Sequence, residues 1–179
     1  MESARVFAIV ALLIAGCDQV FGLEQPPAKC PASYTATAPS SSTSYRSSVG
    51  TRVTWPAAQS ACTSDSTNQG DGARTHLVIV GRDRERQDLV GQLSDDVWIG
   101  LTDQSTEGTF SWVTDEDTMG YPPSSGDPWG AGEPDDGSGG QDCVLIGSPS
   151  GGNAGRFVDA ACTEMHEYIC ECDDHAPPP

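Results

Sequence analysis

Val97-Trp98-Ile99-Gly100-Leu101 is a short, continuously apolar run built from β-branched and aromatic residues around one glycine. Such a run is a buried strand rather than a helix segment, because it is brief and rich in side chains that suit a pleated surface. The neighbouring elements follow from it. Upstream, residues 82–93 form a charged amphipathic helix with Leu89, Val90 and Leu93 on its buried side, and residues 76–80 are a β-branched strand. Residues 63–74 are a polar Gly/Asp/Ser loop. Residues 54–62 read as a short helix with Thr54 as N-cap and Pro56 in the first turn, where a missing N–H costs nothing. Residues 31–53 are Ser/Thr-rich, and Tyr34, Tyr45, Val49 and Val53 mark short exposed strands.

Downstream, Phe110, Trp112 and Val113 mark another strand. Residues 114–142 are rich in Gly, Pro, Asp and Ser but contain Tyr121 and Trp129. A loop this long inside a compact domain is usually functional or mobile. Residues 143–146, 156–159 and 167–170 are three further short strands, and residues 173–179 are a polar tail expected to be disordered. No internal repeat is visible.

The first residues carry a different signal. Residues 6–15 are almost unbroken apolar sequence after Arg5, too short to span a bilayer as a mature helix. Residues 1–16 are therefore expected to be a signal peptide. It ends in Ile14-Ala15-Gly16-Cys17, which resembles a bacterial lipobox; there the Cys thiol is acylated and becomes the new N-terminus. Two or more acyl chains anchor a protein firmly. Residues 17–29 would then be a lipidated tether, reaching roughly 40 Å at about 3.3 Å per residue. The expected location is the bacterial cell envelope, outside the cytoplasm.

The formal net charge of −17 makes nucleic acid and anionic headgroups poor partners, since both require a basic surface. Export implies an oxidising compartment in which cysteines pair. Of the seven cysteines, assigning Cys17 to lipid leaves Cys30, Cys62, Cys143, Cys162, Cys170 and Cys172. Six cysteines allow 15 pairings, and spacing alone does not choose among them. Cys170-Glu171-Cys172 reads as two neighbouring disulfides closing a domain rather than a metal motif. Zinc sites usually draw on paired Cys/His clusters, which His76, His166 and His175 do not supply.

Five features, in order, resemble a C-type lectin domain over residues 30–172. They are Trp55…Ala57-Ala58…Cys62, then Trp98-Ile99-Gly100-Leu101, then Trp129…Gly132-Glu133-Pro134-Asp135. Asp142-Cys143-Val144 follows, and the series closes with Phe157-Val158-Asp159…Cys162…Tyr168-Ile169-Cys170. The resemblance implies an α+β fold of two short helices, small antiparallel sheets and a long loop, stapled by disulfides. It implies Cys62–Cys170 and Cys143–Cys162; Cys30–Cys172 is left as the third pair, a departure from the family's additional N-terminal bridge.

In sugar-binding members of that family, Glu-Pro-Asn in the long loop, an acid before a Cys, and Asn-Asp on a later strand hold one calcium ion. A sugar diol completes its coordination. Here Glu133, Pro134 and Asp159 match. Asp135 stands for Asn, Gln141 for the acid, and Val158 for Asn. Asp135 and Gln141 look like an exchange of acid and amide, so three carboxylates remain. Val158 removes one ligand and one amide donor. Calcium, with its 6–8 hard oxygen ligands and tolerance of irregular geometry, suits Glu133, Asp135, Gln141 and Asp159. The same residues would contact sugar.

The expected function is a secreted, membrane-anchored binding module for carbohydrate in adhesion or recognition. The alternative is a calcium-independent module that binds a surface protein. An enzyme is not expected: Glu133 and Asp159 could form a hydrolase pair, but the ion-site pattern accounts for them, and no nucleophile–His–acid arrangement is present.

Overall fold

The structure, a computed structural model, describes residues 30–39, 43–66, 74–137 and 139–173. The expected signal peptide, Cys17, the tether, the loop tip at 67–73 and the tail beyond 173 lie outside the described residues. Among the described residues no helix is long and apolar enough to cross a membrane.

In chain order the elements are β1 (Ala36–Thr37), β2 (Ser44–Ser47), α1 (Trp55–Ser66), β3 (Arg74–Leu77) and α2 (Asp83–Val90). They continue with β4 (Val97–Thr102), β5 (Ser111–Trp112), β6 (Cys143–Ile146), β7 (Phe157–Ala160) and β8 (Glu167–Asp173). One half of the sheet pairs β1, β2, β8 and β3; the other pairs β5, β4, β6 and β7. All of these ladders are antiparallel. The halves are joined by a short parallel contact between β4 and β8, Val97 opposite Glu167 and Trp98 opposite Tyr168.

β4 is buried on both faces. Val97, Ile99 and Leu101 enter one core cluster with Leu89, Trp112, Trp129, Ile146 and Phe157. Trp98 enters the other, among Trp55, Leu77, Tyr168 and the cysteines of β6 and β8. Successive side chains of a strand point to opposite faces, so a strand between two cores must be apolar throughout. The indole N–H groups that this burial strands are satisfied: Trp98 donates to the Val53 carbonyl at 2.9 Å and Trp55 to that of Ile99 at 2.8 Å.

Gly100 is required by close approach. A Cβ there would lie 2.8 Å from the Leu77 carbonyl oxygen and 2.9 Å from Val113 Cγ2. The Gly100 amide donates to Val78 at 2.8 Å, and the Val113 amide donates to Gly100 at 2.8 Å. Residues 78–80 therefore stay extended beyond β3 and pack against β4.

The three disulfides are Cys62–Cys170, Cys143–Cys162 and Cys30–Cys172. The first ties α1 to β8, the second ties β6 to the segment after β7, and the third ties the start of the domain to its last strand. Each native bridge of this kind contributes about 2–5 kcal/mol, chiefly by restricting the unfolded chain.

Several boundaries differ from the sequence expectation. α1 extends past Cys62 to Ser66. α2 ends at Val90: the Gly91 amide still donates to Gln87, after which the bonding tightens to Gln92–Leu89 and Leu93–Val90. The segment before α1 is less exposed than expected. Tyr45 is buried, and β2 is a paired strand against β8. β8 runs on to Asp173. His166 is partly covered, its ring edge-on to Trp98 at 4.8 Å.

Gly100→Ala is expected to cost about 1–3 kcal/mol through overpacking against the Leu77 backbone. Urea denaturation should show a lower midpoint with an unchanged slope; an unchanged midpoint would mean that β4 and β3 do not approach this closely.

Candidate functional site

The long loop comes back to the sheet at two places. Trp129 bridges to Phe157 at the start of β7, with its amide neighbour Gly130 donating to the Phe157 carbonyl at 2.8 Å. Trp129 also packs against Phe110 and Phe157 at 4.9 and 5.8 Å between ring centroids. Its indole N–H donates to Pro123 at 2.7 Å. This anchored aromatic carries Glu133-Pro134-Asp135 to the edge of β7, where Asp159 lies buried. The Glu133–Pro134 peptide bond is cis.

Asp159 organises the loop. Its carboxylate accepts the amides of Asp135, at 3.1 and 3.2 Å, and of Asp136, at 2.8 Å. Glu133, Asp135 and Asp159 each offer a carboxylate oxygen within 4.8 Å of the others, so they form one group that could hold a metal ion. Gln141 joins them from the loop's return. A Cβ at Gly137 would sit 2.5 Å from Gln141 Oε1 and 3.2 Å from Asp135 Oδ1, which places both oxygens around one point. Glu133, Asp135 and Asp159 are therefore brought together, and Gln141 lies beside Asp135 across Gly137. Val158 packs against the second core cluster and offers no polar atom, as its chemistry requires.

Two oxygens here are buried without a hydrogen-bond partner among the described residues: Glu133 Oε2 and Gln141 Oε1. Such atoms are costly to bury and rare in folded proteins. Burial, then the hydrogen bond to Asp159 and the charges of Asp159 and Asp135, push Glu133 up to about 8. A cation between these oxygens would relieve the desolvation and the repulsion together, so the donor set fits an oxygen-seeking divalent ion.

The sequence reading missed a second acidic group beside the first. Asp103 is buried after β4 and accepts the Gly108 amide at 2.9 Å through Oδ2, while Oδ1 has no partner among the described residues. Burial raises its pKa against the Gly108 hydrogen bond, and Asp142 and Asp159 add to the rise. Glu107, at the surface, is raised by desolvation and by Asp103, Asp136 and Asp142. Asp136 in turn accepts the Gly140 and Gln141 amides at 2.6 and 3.1 Å, fixing the loop's return. Asn153 is the other omission: its Oδ1 would lie 2.8 Å from a Cβ at Gly130, and Glu133 Cγ 3.0 Å from the same point. The Asp103-x-x-x-Glu107 spacing could have signalled the acidic group. Nothing in the Ser/Gly turn around Asn153 marks that residue.

The raised Glu133 carboxyl has a consequence for the metal-free protein. Its contribution to stability is complete below the unfolded carboxyl range and is lost as pH rises through about 8. In EDTA the wild-type melting temperature is therefore expected to fall between pH 5 and pH 9 more than that of Glu133→Gln. Parallel pH profiles for the two would show that Glu133 ionises normally.

Comparison with known proteins places this geometry. The family model described as the lectin C-type domain matches residues 51–172. The C-type lectin BfL-2 of Bungarus fasciatus is 32% identical over 103 residues, 54% of this chain and 60% of that protein. The hepatic lectin of Gallus gallus is 28% identical over 121 residues, 67% of this chain and 50% of that protein. The chain thus spans about half to three fifths of the length of these relatives. Among solved structures, the mouse scavenger receptor C-type lectin carbohydrate-recognition domain superposes with a TM-score of 0.61 at 26% identity, covering 83% of this chain and 100% of that one. The cow CD23 domain, solved with a GlcNAc2Man3 oligosaccharide, gives 0.59 at 25% identity over 80% of this chain and 95% of that one. With the family model spanning well over half its length and its site residues gathered at the end of the long loop, the chain belongs to the C-type lectin domain family.

Proposed function

We propose that this chain is a membrane-anchored extracytoplasmic module that binds carbohydrate through a calcium ion held by Glu133, Asp135, Gln141 and Asp159. Membership in the family makes it a binding module of the carbohydrate-recognising kind rather than an enzyme. The observation that carries the calcium reading is the pair of buried, unpartnered oxygens, Glu133 Oε2 and Gln141 Oε1, beside a three-carboxylate group. Calcium, when bound, supplies coordination positions that vicinal sugar hydroxyls complete. The protein side chains position those hydroxyls. Carboxylates only accept hydrogen bonds, so Gln141 is the one donor among the four, and its direction differs from that of the amide Val158 displaces. Sugar preference is accordingly expected to differ from that of family members with the full amide set.

One feature favours the alternative, a calcium-independent module for a surface protein. Asp159 already spends its carboxylate on the Asp135 and Asp136 amides, which holds the loop without an ion. The two readings separate on stability. Calcium at about 100 times its dissociation constant should add about 2.7 kcal/mol. The melting temperature should rise accordingly, and EDTA or Asp159→Ala should abolish the rise. A glycan array probed in calcium and in EDTA then reads the sugar. No calcium shift, with ligand retained in EDTA, would establish the protein-binding alternative.

The anchor is proposed on Cys17, preceded by Ile14-Ala15-Gly16. Cys17→Ala should move the chain from the membrane fraction to the soluble fraction and remove the acyl mass from the mature N-terminus. An unchanged membrane association would refute lipidation at this residue.

A further inference from the structure

The β3–β8 ladder sets His76 directly opposite Glu171, and Asp173 opposite Arg74 two residues along the strand. Residues two apart on a strand share a face, so Glu171 and Asp173 flank the imidazole. One donor atom from each of the three lies within 4.8 Å of the others. His76 and Glu171 are buried, and Asp173 is largely buried. No residue is shared with the Glu133 group.

The imidazole is oriented for ligation. His76 Nδ1 lies 2.9 Å from the Leu77 carbonyl, which only accepts, so Nδ1 carries the proton. Nε2 lies 3.2 Å from Asp173 Oδ1. Glu171 is held in turn by the Ile79 amide, which donates to Oε2 at 2.7 Å. These outer contacts fix imidazole and carboxylate as the partners of metal ligands usually do. The frame is stiff, because Cys170 and Cys172, on either side of Glu171, are both disulfide-bonded.

We propose that His76, Glu171 and Asp173 form a second, transition-metal site of the zinc class, independent of the sugar site. One imidazole and two carboxylates suit zinc, whereas calcium draws on oxygen ligands alone. Ligand distances of about 2.0–2.2 Å require donors no more than about 4 Å apart. The donor atoms would have to close on the ion from their present span, Asp173 being the least buried of the three.

The full chain, purified in detergent and stripped with a chelator, is titrated with zinc in excess calcium, which keeps the Glu133 group occupied by calcium where that group binds it. Calorimetry should show a single equivalent, with proton release, and the His76 ring resonances should shift on saturation. His76→Gln and Asp173→Asn should each weaken binding by more than about tenfold, while Glu133→Gln should leave it unchanged. Asp173→Asn, isosteric and at the least buried of the three positions, keeps the test decisive if circular dichroism shows that His76→Gln does not fold. Absence of zinc binding, or binding that survives Asp173→Asn, would overturn the site and leave a hydrogen-bonded buried network in its place.

Discussion

The parallel contact between β4 and β8 joins the two halves of the sheet, and much of the molecule is arranged around those few residues. Trp98 stands opposite Tyr168 there, with its indole sunk among the cysteines of the second core. Its strand neighbours Val97 and Ile99 fill the first core. A strand in this position has no solvent face, so every residue of it is committed to packing. The close passage of residues 77–78 past Gly100 adds a steric condition that only a residue without a Cβ satisfies. β8 is equally constrained. It pairs with β2, β3 and β4 and carries two of the six bridged cysteines.

That rigid centre allows the long loop to be irregular. Residues 114–142 have too little apolar content to fold alone, yet Trp129 and Tyr121 dock on Phe157 and hold the loop to β7. The acidic residues at the loop's end therefore arrive at a fixed place. Three carboxylates meeting around the buried Asp159 is unfavourable on its own. The Asp135 and Asp136 amides offset part of that cost by donating to Asp159. What remains uncompensated is the chemistry that makes the place receptive to a cation.

The net charge of −17 acquires a location in this way. Part of it is concentrated at the loop, where Asp103, Glu107, Asp136 and Asp142 stand near the Glu133 group, and burial and the neighbouring charges raise the proton affinity of Asp103 and Glu107. Another part is buried beside His76 on the β3–β8 ladder. The second group is set by the β3–β8 register and the first by carboxylate–amide bonds within the loop, so the geometry of each follows the fold.

The sequence by itself was sufficient for the buried strand at Val97–Leu101, the two helices and the order of strands, and the motif order it shares with the family pointed to Glu133, Asp135 and Asp159, which the fold brings together. Apolar runs, capping residues and motif order are local signals, and they survive without knowledge of what packs against them. It was not sufficient for the end of α2 at Gly91, the burial of Tyr45, or the meeting of His76 with Glu171 and Asp173. Nor did it reveal that Asp103 and Glu107 belong beside the loop. Each of those depends on strand register or on which face an element turns inward. Register is a pairing between segments about 100 residues apart in the case of β3 and β8, and only the folded chain brings such segments together.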